Sequence, residues 1–256
     1  MNPTTWRLWH LTRSKVRHST GNVGRRGGGA LITNGLIVYY TFDTGTYTTN
    51  SIANMATGTA VYDASFSVSS ASQIVTGGAA FGTSYFAVNS NYIYRTALTT
   101  IGLNGFTNCM WMFMTSGSNA ILGSIGGSAV SGPGIFSAMS GSSFVLNTAS
   151  SAYGSRDVSN VVTATWTHHA YTVTSSNIVL HYQDGVLTSP PTNVGGLSYP
   201  FTTGSFSYGC CVGTVYANNS GQYVNGGSFV GGIDDFRVYT RALSASEIYQ
   251  IYNKIG

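Results

Sequence analysis

Charge is what this sequence lacks most. Only 7% of its 256 residues are Asp, Glu, Lys or Arg, against about a quarter in an ordinary soluble domain. The acids number seven, Asp43, Asp63, Asp157, Asp184, Asp234, Asp235 and Glu247, and that shortage narrows acid–base chemistry before any motif is considered. Cysteine is as scarce: Cys109 and the adjacent Cys210 and Cys211. Three thiols so placed make no disulfide framework. Neighbours in a strand point to opposite faces, so all three read as small hydrophobes in a reducing compartment. No apolar run reaches the ~18 residues of a membrane helix. The basic N-terminus lacks the apolar core of a secretory signal, although it shares the Arg- and Ser-rich, acid-poor composition of an organelle transit peptide.

What is present points to sheet. The chain holds 17 Tyr, 12 Phe and 33 Gly, and 43% of it is hydrophobic. Few charges with many aromatics and threonines suit strands whose faces meet neighbours rather than water, and exclude general disorder. The net charge of +4 divides unevenly. Six basic residues and no acid lie within residues 1–26; the remainder holds five basic residues and all seven acids. Residues 1–33 therefore form a basic, Gly/Arg-rich arm, and residues 34–256 one core-forming domain. Trp6, Arg7, Trp9, Arg13, Lys15, Arg17, Arg25 and Arg26 are the arm's candidate partner-binding residues. Such an arm can touch nucleic acid, an anionic membrane, or a groove on another protein. Its tryptophans offer the anchor area that protein interfaces use, which favours docking on partner proteins.

From Leu36 on, short β-branched and aromatic runs bounded by Gly, Ser, Asn and Pro predict strands. The runs are GLIVYYTFD (35–43), SYFAV (84–88), CMWMFM (109–114), GIFSAM (134–139), SFVLN (143–147), HHAYTVT (168–174), NIVLHYQ (177–183), FSYGCCVG (206–213) and IDDFRVY (233–239). Asp184-Gly185 supplies the positive φ angles that a two-residue hairpin needs. Many short strands with almost no helix predict an all-β sandwich or jelly roll. The chain closes on RALSASEIYQIYNKIG. Ser244 with Glu247 three residues on reads as a capping box, and Leu243 with Ile248 as its hydrophobic staple. Ile248, Ile251, Tyr252 and Ile255 then fall on one face of a short helix.

These residues together resemble a known family. GLIVYYTFD, NGFTNCMWMFM, WTHHAYTVT, IVLHYQDGVL and GGIDDFRVYTRALSASEIYQIY are similar to the laminin-G-like, pentraxin-like branch of the concanavalin-A-like jelly rolls. The matching positions include Trp111, Trp166, His168, Ala170, Tyr182, Asp184, Gly185, Ile233, Asp234, Asp235, Arg237, Tyr239, Arg241, Leu243, Ser244, Glu247 and Ile248. The resemblance runs from residue 35 to 252 and leaves the arm outside. It implies a concanavalin-A-like jelly-roll sandwich with a short C-terminal helix and an extended basic N-terminal arm. The Gly/Ser/Thr-rich, charge-poor texture further resembles laminin-G-like proteins of large double-stranded DNA viruses, where such domains are virion components.

Enzymes of this fold that cleave glycosides need paired carboxylates. Here Glu247 belongs to a cap and Asp184 to a turn, while strand alternation is expected to send Asp234 and Asp235 to opposite faces. There is no Gly-x-Ser-x-Gly elbow, P-loop or zinc-ligand spacing. His168 reads as a structural histidine beside Trp166. The resemblance implies Ca2+ as the fitting cation, held by hard oxygens, with Asp43, Asp63 and Asp234 or Asp235 as ligands. Against this, Asp43 and Asp63 also suit turn ends, and Asp235 also suits pairing with Arg237 or Arg241. Glycan binding would use Tyr92, Tyr94, Trp166 and Tyr216, with Trp111 and Trp166 expected in the core.

The expectation is thus a non-enzymatic structural protein, a minor capsid protein or other virion component assembled in a reducing host compartment. Its partners are other capsid proteins. The alternative is a lectin-like, glycan-binding module with Ca2+ at its site.

Overall fold

A computed structural model describes residues 31–56, 63–66, 73–89, 92–98, 105–116, 121–126, 134–140, 143–149, 154–160, 164–188, 191–193, 208–212, 215–217, 222–224 and 230–253. The arm residues Trp6, Arg7, Trp9, Arg13, Lys15, Arg17, Arg25 and Arg26 lie outside this set, as do the side chains of Asp157, Cys210, Cys211 and Tyr216.

The described elements are, in chain order, β1 (Leu36–Tyr40), β2 (Ser51–Ile52), β3 (Ala64–Phe66), β4 (Ile74–Thr76), β5 (Ser84–Asn89), β6 (Ile93–Leu98), β7 (Gly105–Ser116), β8 (Ile121–Gly126), β9 (Gly134–Ser140), β10 (Ser143–Ala149), β11 (Gly154–Asn160), β12 (Thr167–Thr174), β13 (Ile178–Gln183), β14 (Val186–Leu187), β15 (Thr192–Asn193), β16 (Tyr208–Val212), β17 (Val215–Ala217), β18 (Gln222–Val224), β19 (Val230–Tyr239) and the helix α1 (Ala245–Asn253).

Nine strands form one sheet, ordered β14-β13-β12-β7-β19-β5-β4, with β1 also on β19 and β15 on β13. A second sheet runs β11-β10-β9-β8-β16-β6-β3-β2, and β17 pairs with β18 separately. Among the described residues, the strand pairings within the first sheet are antiparallel. The two large sheets stack face to face as a sandwich, and the contact is aromatic. Phe66 of β3 meets Phe86 of β5 at 6.3 Å between ring centres. Phe42 continues the string to Phe86 at 5.8 Å, and Tyr40 to Phe236 at 6.1 Å.

Period-two alternation decides which residues enter this core. On β7, Phe106, Met110, Met112 and Met114 are buried, facing Val173 and His169 of β12 and Ile233 of β19. Thr107, Cys109, Trp111 and Phe113 occupy the other face. That outer face is covered in part by α1: Leu36, Cys109, Ala170, Tyr182, Tyr239, Leu243, Ile248 and Ile251 form one cluster, with Leu31 and Ile32 packed against it. Burial pushes the Cys109 thiol up to about 12, a buried hydrophobe rather than a nucleophile.

Local signals hold the ends in place. Asp184 and Gly185 have φ angles of 51° and 76°, and Gln183 pairs with Val186 across them. This is the two-residue turn whose twist matches the strands. At the helix start, Ser244 N–H donates to Glu247 Oε2 at 2.8 Å and Glu247 N–H donates to Ser244 Oγ at 3.3 Å. Leu243 and Ile248 are both buried beneath that first turn.

Candidate functional site

The outer face of the first sheet carries the chain's densest group of half-buried aromatic side chains among the described residues. Phe81, Tyr85, Trp111, Phe113, Trp166 and Tyr252 are all neither core nor fully exposed, and Tyr249 is 52% exposed. Tyr85 meets Trp166 edge to face at 5.4 Å, and Trp166 meets Phe113 at 5.5 Å. Phe81 stands edge-on to Trp111 at 5.1 Å, and Tyr252 stacks on Trp111 at 5.6 Å. The two groups join because Trp111 and Phe113 are two apart on β7, so they share a face. Gly232 makes the packing possible: a Cβ there would lie 2.9 Å from the Trp166 ring and closer still to Tyr85.

Trp111 and Trp166 therefore depart from the expected core placement. Both lie on the outer sheet face, because β7 is apolar on both sides and its methionines take the inner one. His168 is buried, and its ring packs against Trp111 at 5.4 Å and Tyr252 at 6.0 Å. Its neighbour His169 faces the inner side. There His169 Nδ1 lies 3.2 Å from His181 Nε2, and His169 Nε2 lies 3.1 Å from Thr167 Oγ1. Burial, then His181 and His168, hold His169 well below the usual histidine value. Alternation alone separates His168 from His169; the pairing with His181 needs the β12–β13 register.

The four candidate calcium ligands are distributed as follows. Gly77 to Thr83 connects β4 to β5, closed by Gly77 N–H donating to the Thr83 carbonyl at 2.7 Å. Asp43 Oδ1 accepts from Thr83 N–H at 2.6 Å, and Asp234 Oδ2 accepts from Phe81 N–H at 2.9 Å. The Trp166 indole N–H donates to the Gly78 carbonyl at 2.7 Å. Asp43 and Asp234 thus converge on one loop, where two carboxylates and nearby carbonyls are oxygen donors of the type Ca2+ takes. Asp63 instead accepts from Asn54 N–H at 2.7 Å. Asp235 meets Arg237 Nη2 at 3.1 Å. Among the described residues no three of His, Cys, Asp and Glu gather in a metal-binding group. The residues fit a cation only in part.

Asp234 and Asp235 also do not divide between the two faces. The register places Asp234 opposite Trp111 and Arg237 opposite Cys109, with a bulge between. Asp235 sits in that bulge at φ 54°. The extra residue suspends alternation, so Asp235 turns to Arg237 and Tyr39 on the same outer side. Burial opposes the charge on Arg237, but Asp235 and then Tyr39 carry its pKa above the ordinary arginine value.

Tyr92 and Tyr94, two candidates for glycan contact, pack together at 5.9 Å on the second sheet, separate from the outer aromatic face. Phe81, Tyr85, Phe113 and Tyr249 escaped the sequence reading. For Phe113 the signal was the apolar run on β7, which implies a covered or contacting surface on both sides; Phe81, Tyr85 and Tyr249 lie outside β7 and carried no such signal.

Residues 82–249 match a laminin G family model described as the concanavalin A-like lectin/glucanases superfamily. The chain belongs to this superfamily. Similar solved structures carry the same fold. Domain 4 of AbnA, a GH43 extracellular arabinanase from Geobacillus stearothermophilus solved with arabinotriose, aligns at TM-score 0.59 and 18% identity, over 85% of this chain and 98% of that one. The binding domain of botulinum neurotoxin serotype D aligns at 0.59 and 14%, over 86% and 52%. The binding domain of Paraclostridial Mosquitocidal Protein 1 aligns at 0.59 and 15%, over 86% and 52%. This concanavalin A-like chain spans about half the length of the latter two. No curated protein sequence matches it.

Proposed function

We propose that this chain is a non-enzymatic domain that works by surface contact, as a structural component of a large assembly. In this reading it is a minor capsid protein or other virion component of a large DNA virus, anchored by its basic N-terminal arm to other capsid proteins. The observation that carries the contact role is the outer aromatic face, built from Phe81, Tyr85, Trp111, Phe113, Trp166 and Tyr252. Aromatic side chains half exposed on a rigid sheet supply large contact area at little entropic cost. The virion placement draws its support from the charge-poor composition and from the arm's six basic residues. The acids whose side chains are described offer little to catalysis: Glu247 and Asp235 are held by arginines, and Asp43, Asp63, Asp184 and Asp234 by backbone N–H groups.

The test is co-sedimentation in cells that produce the particle. Tyr85→Ser combined with Trp166→Ser should leave a folded protein that no longer travels with the assembled particle. Co-sedimentation equal to wild type would overturn the reading.

A second reading, a glycan-binding module, is favoured by Tyr85 and Trp166. These half-exposed rings stand beside the Gly77–Thr83 loop, and a domain of like fold was solved with arabinotriose. Micromolar binding of the full chain to a defined sugar, abolished by Trp166→Ser, would support it.

A further inference from the structure

The aromatic face lies on the same side of the first sheet as the point where the arm leaves the domain. Leu31 and Ile32 pack against Leu36, Tyr239, Leu243, Ile248 and Ile251, and Tyr252 of the same helix opens the aromatic row by stacking on Trp111. We propose that in the isolated full chain this face is covered by the chain's own N-terminal segment, with Trp6, Leu8, Trp9 and Leu11 seated on the row. The inference rests on the reading of the aromatic face as a contact surface, and names what occupies that surface before a partner does.

Reach allows it. The twenty residues from Leu11 to Leu31 span up to about 65–70 Å when extended, and the sheet's path of seven strands abreast is about 30 Å wide at ~4.8 Å spacing. Charge favours it. The arm's six basic residues carry no acid among them, whereas the remainder of the chain has two more acids than bases. Two of those acids lie at or beside this face, Asp234 opposite Trp111 and Asp184 in the turn under Tyr249 and Tyr252; Glu247 on α1 is already paired with Arg241. Ring chemistry matches as well. Indoles pack edge-on or offset against the rings already present, and arginines beside them stack over aromatic faces. Arg237 does this over Tyr39 at 4.4 Å on the same sheet face. Tethering completes the case, because a linker of this length holds the segment at an effective concentration of about 1 mM. A contact too weak to persist between separate molecules is then mostly formed.

The test is limited trypsin digestion of the full chain, followed by peptide mapping at Arg7 and Arg13. Trp6→Ser with Trp9→Ser alters only the arm and leaves the domain's fold untouched. Cleavage at these sites should be about 10-fold slower in wild type than in that variant, at every protein concentration. Tyr85→Ser with Trp166→Ser, its fold checked by melting, should release the same sites. Equal rates in wild type and the arm variant overturn the proposal. Protection that fades on dilution also overturns it, since the cover then comes from a second copy. If the face variant leaves the particle while arm cleavage is unchanged, only the cover fails. If the arm is protected but the face variant still co-sediments, the contact reading of the face fails instead.

Discussion

Arg237 and Asp235 meet on one side of a bulge, with Nη2 at 3.2 and 3.1 Å from the two carboxylate oxygens and both side chains almost wholly buried. The guanidinium lies over Tyr39, 4.4 Å from the ring centre, and Nη2 also donates to the Tyr39 hydroxyl at 3.2 Å. A charge pair this deep is costly to break, because either partner alone would keep a desolvated charge.

Removing one partner is therefore the first prediction. Asp235→Asn should destabilise the domain by about 3–5 kcal/mol, read from urea midpoints. Replacing both residues by apolar side chains of similar volume should cost far less than the sum of the single changes. A loss below about 1 kcal/mol for Asp235→Asn would show the pair to be solvated.

Gly232 is the second. Its missing Cβ leaves room for Trp166 and Tyr85 to close over β19. Gly232→Ala should push both rings outward, change the near-ultraviolet circular dichroism of the tryptophans, and weaken any particle or glycan contact made through the face. It should destabilise by about 1–3 kcal/mol, the range for overpacking. An unchanged aromatic spectrum would mean that the rings find another seat.

Acid should weaken the sandwich through His169. Its folded pKa lies below the unfolded value of about 6.5, so the unfolded chain binds a proton that the native site refuses. The stability it contributes is complete above pH ~6.5 and is lost as pH falls toward the folded value, at up to about 1.4 kcal/mol per unit. The groups facing it are His181, Thr167 and, across β7, Met110. Urea midpoints from pH 7.5 to 5.5 should fall, and His169→Gln should flatten the slope. Constant midpoints in the wild type would contradict this.

The helix cap responds in a lower window. Arg241 first, with Ser244 adding to it and burial opposing both, lowers the Glu247 pKa to about 2. Its contribution is present above the ordinary carboxylate range near pH 4.3 and is lost as pH falls toward 2. The side chain is only partly buried, so solvent screening limits the effect. Glu247→Ala should cost about 0.5–1 kcal/mol at neutral pH and fray α1 in hydrogen exchange. A wild-type exchange pattern would place the helix's stability entirely in Ile248 and Ile251.

Much of the fold is local and was written in the chain. The runs at Leu36–Tyr40, Thr167–Thr174 and Ile178–Gln183 announce strands by composition, and Asp184-Gly185 announces its turn because few other pairs accept two positive φ angles. Short strands such as β2, β4 and β15 carried no such signal, since two or three residues cannot show a period. The laminin-G pattern was legible in the closing residues for the same local reason.

The placement of side chains across distance was not legible. Strict alternation puts Asp234 and Asp235 on opposite faces, and only the bulge against β7 brings both to the outer side. Trp111 and Trp166 look like core by type; the two apolar faces of β7 cannot both be inside, and sheet packing assigned the indoles to the outer side. The sequence by itself determined the all-β class, the hairpin turn and the helix start, each set by a few neighbouring residues. The tertiary structure alone decided that Phe81, Tyr85, Trp111, Phe113, Trp166 and Tyr252 form one surface. They come from five separate segments, and only register between strands distant in the chain brings such residues together.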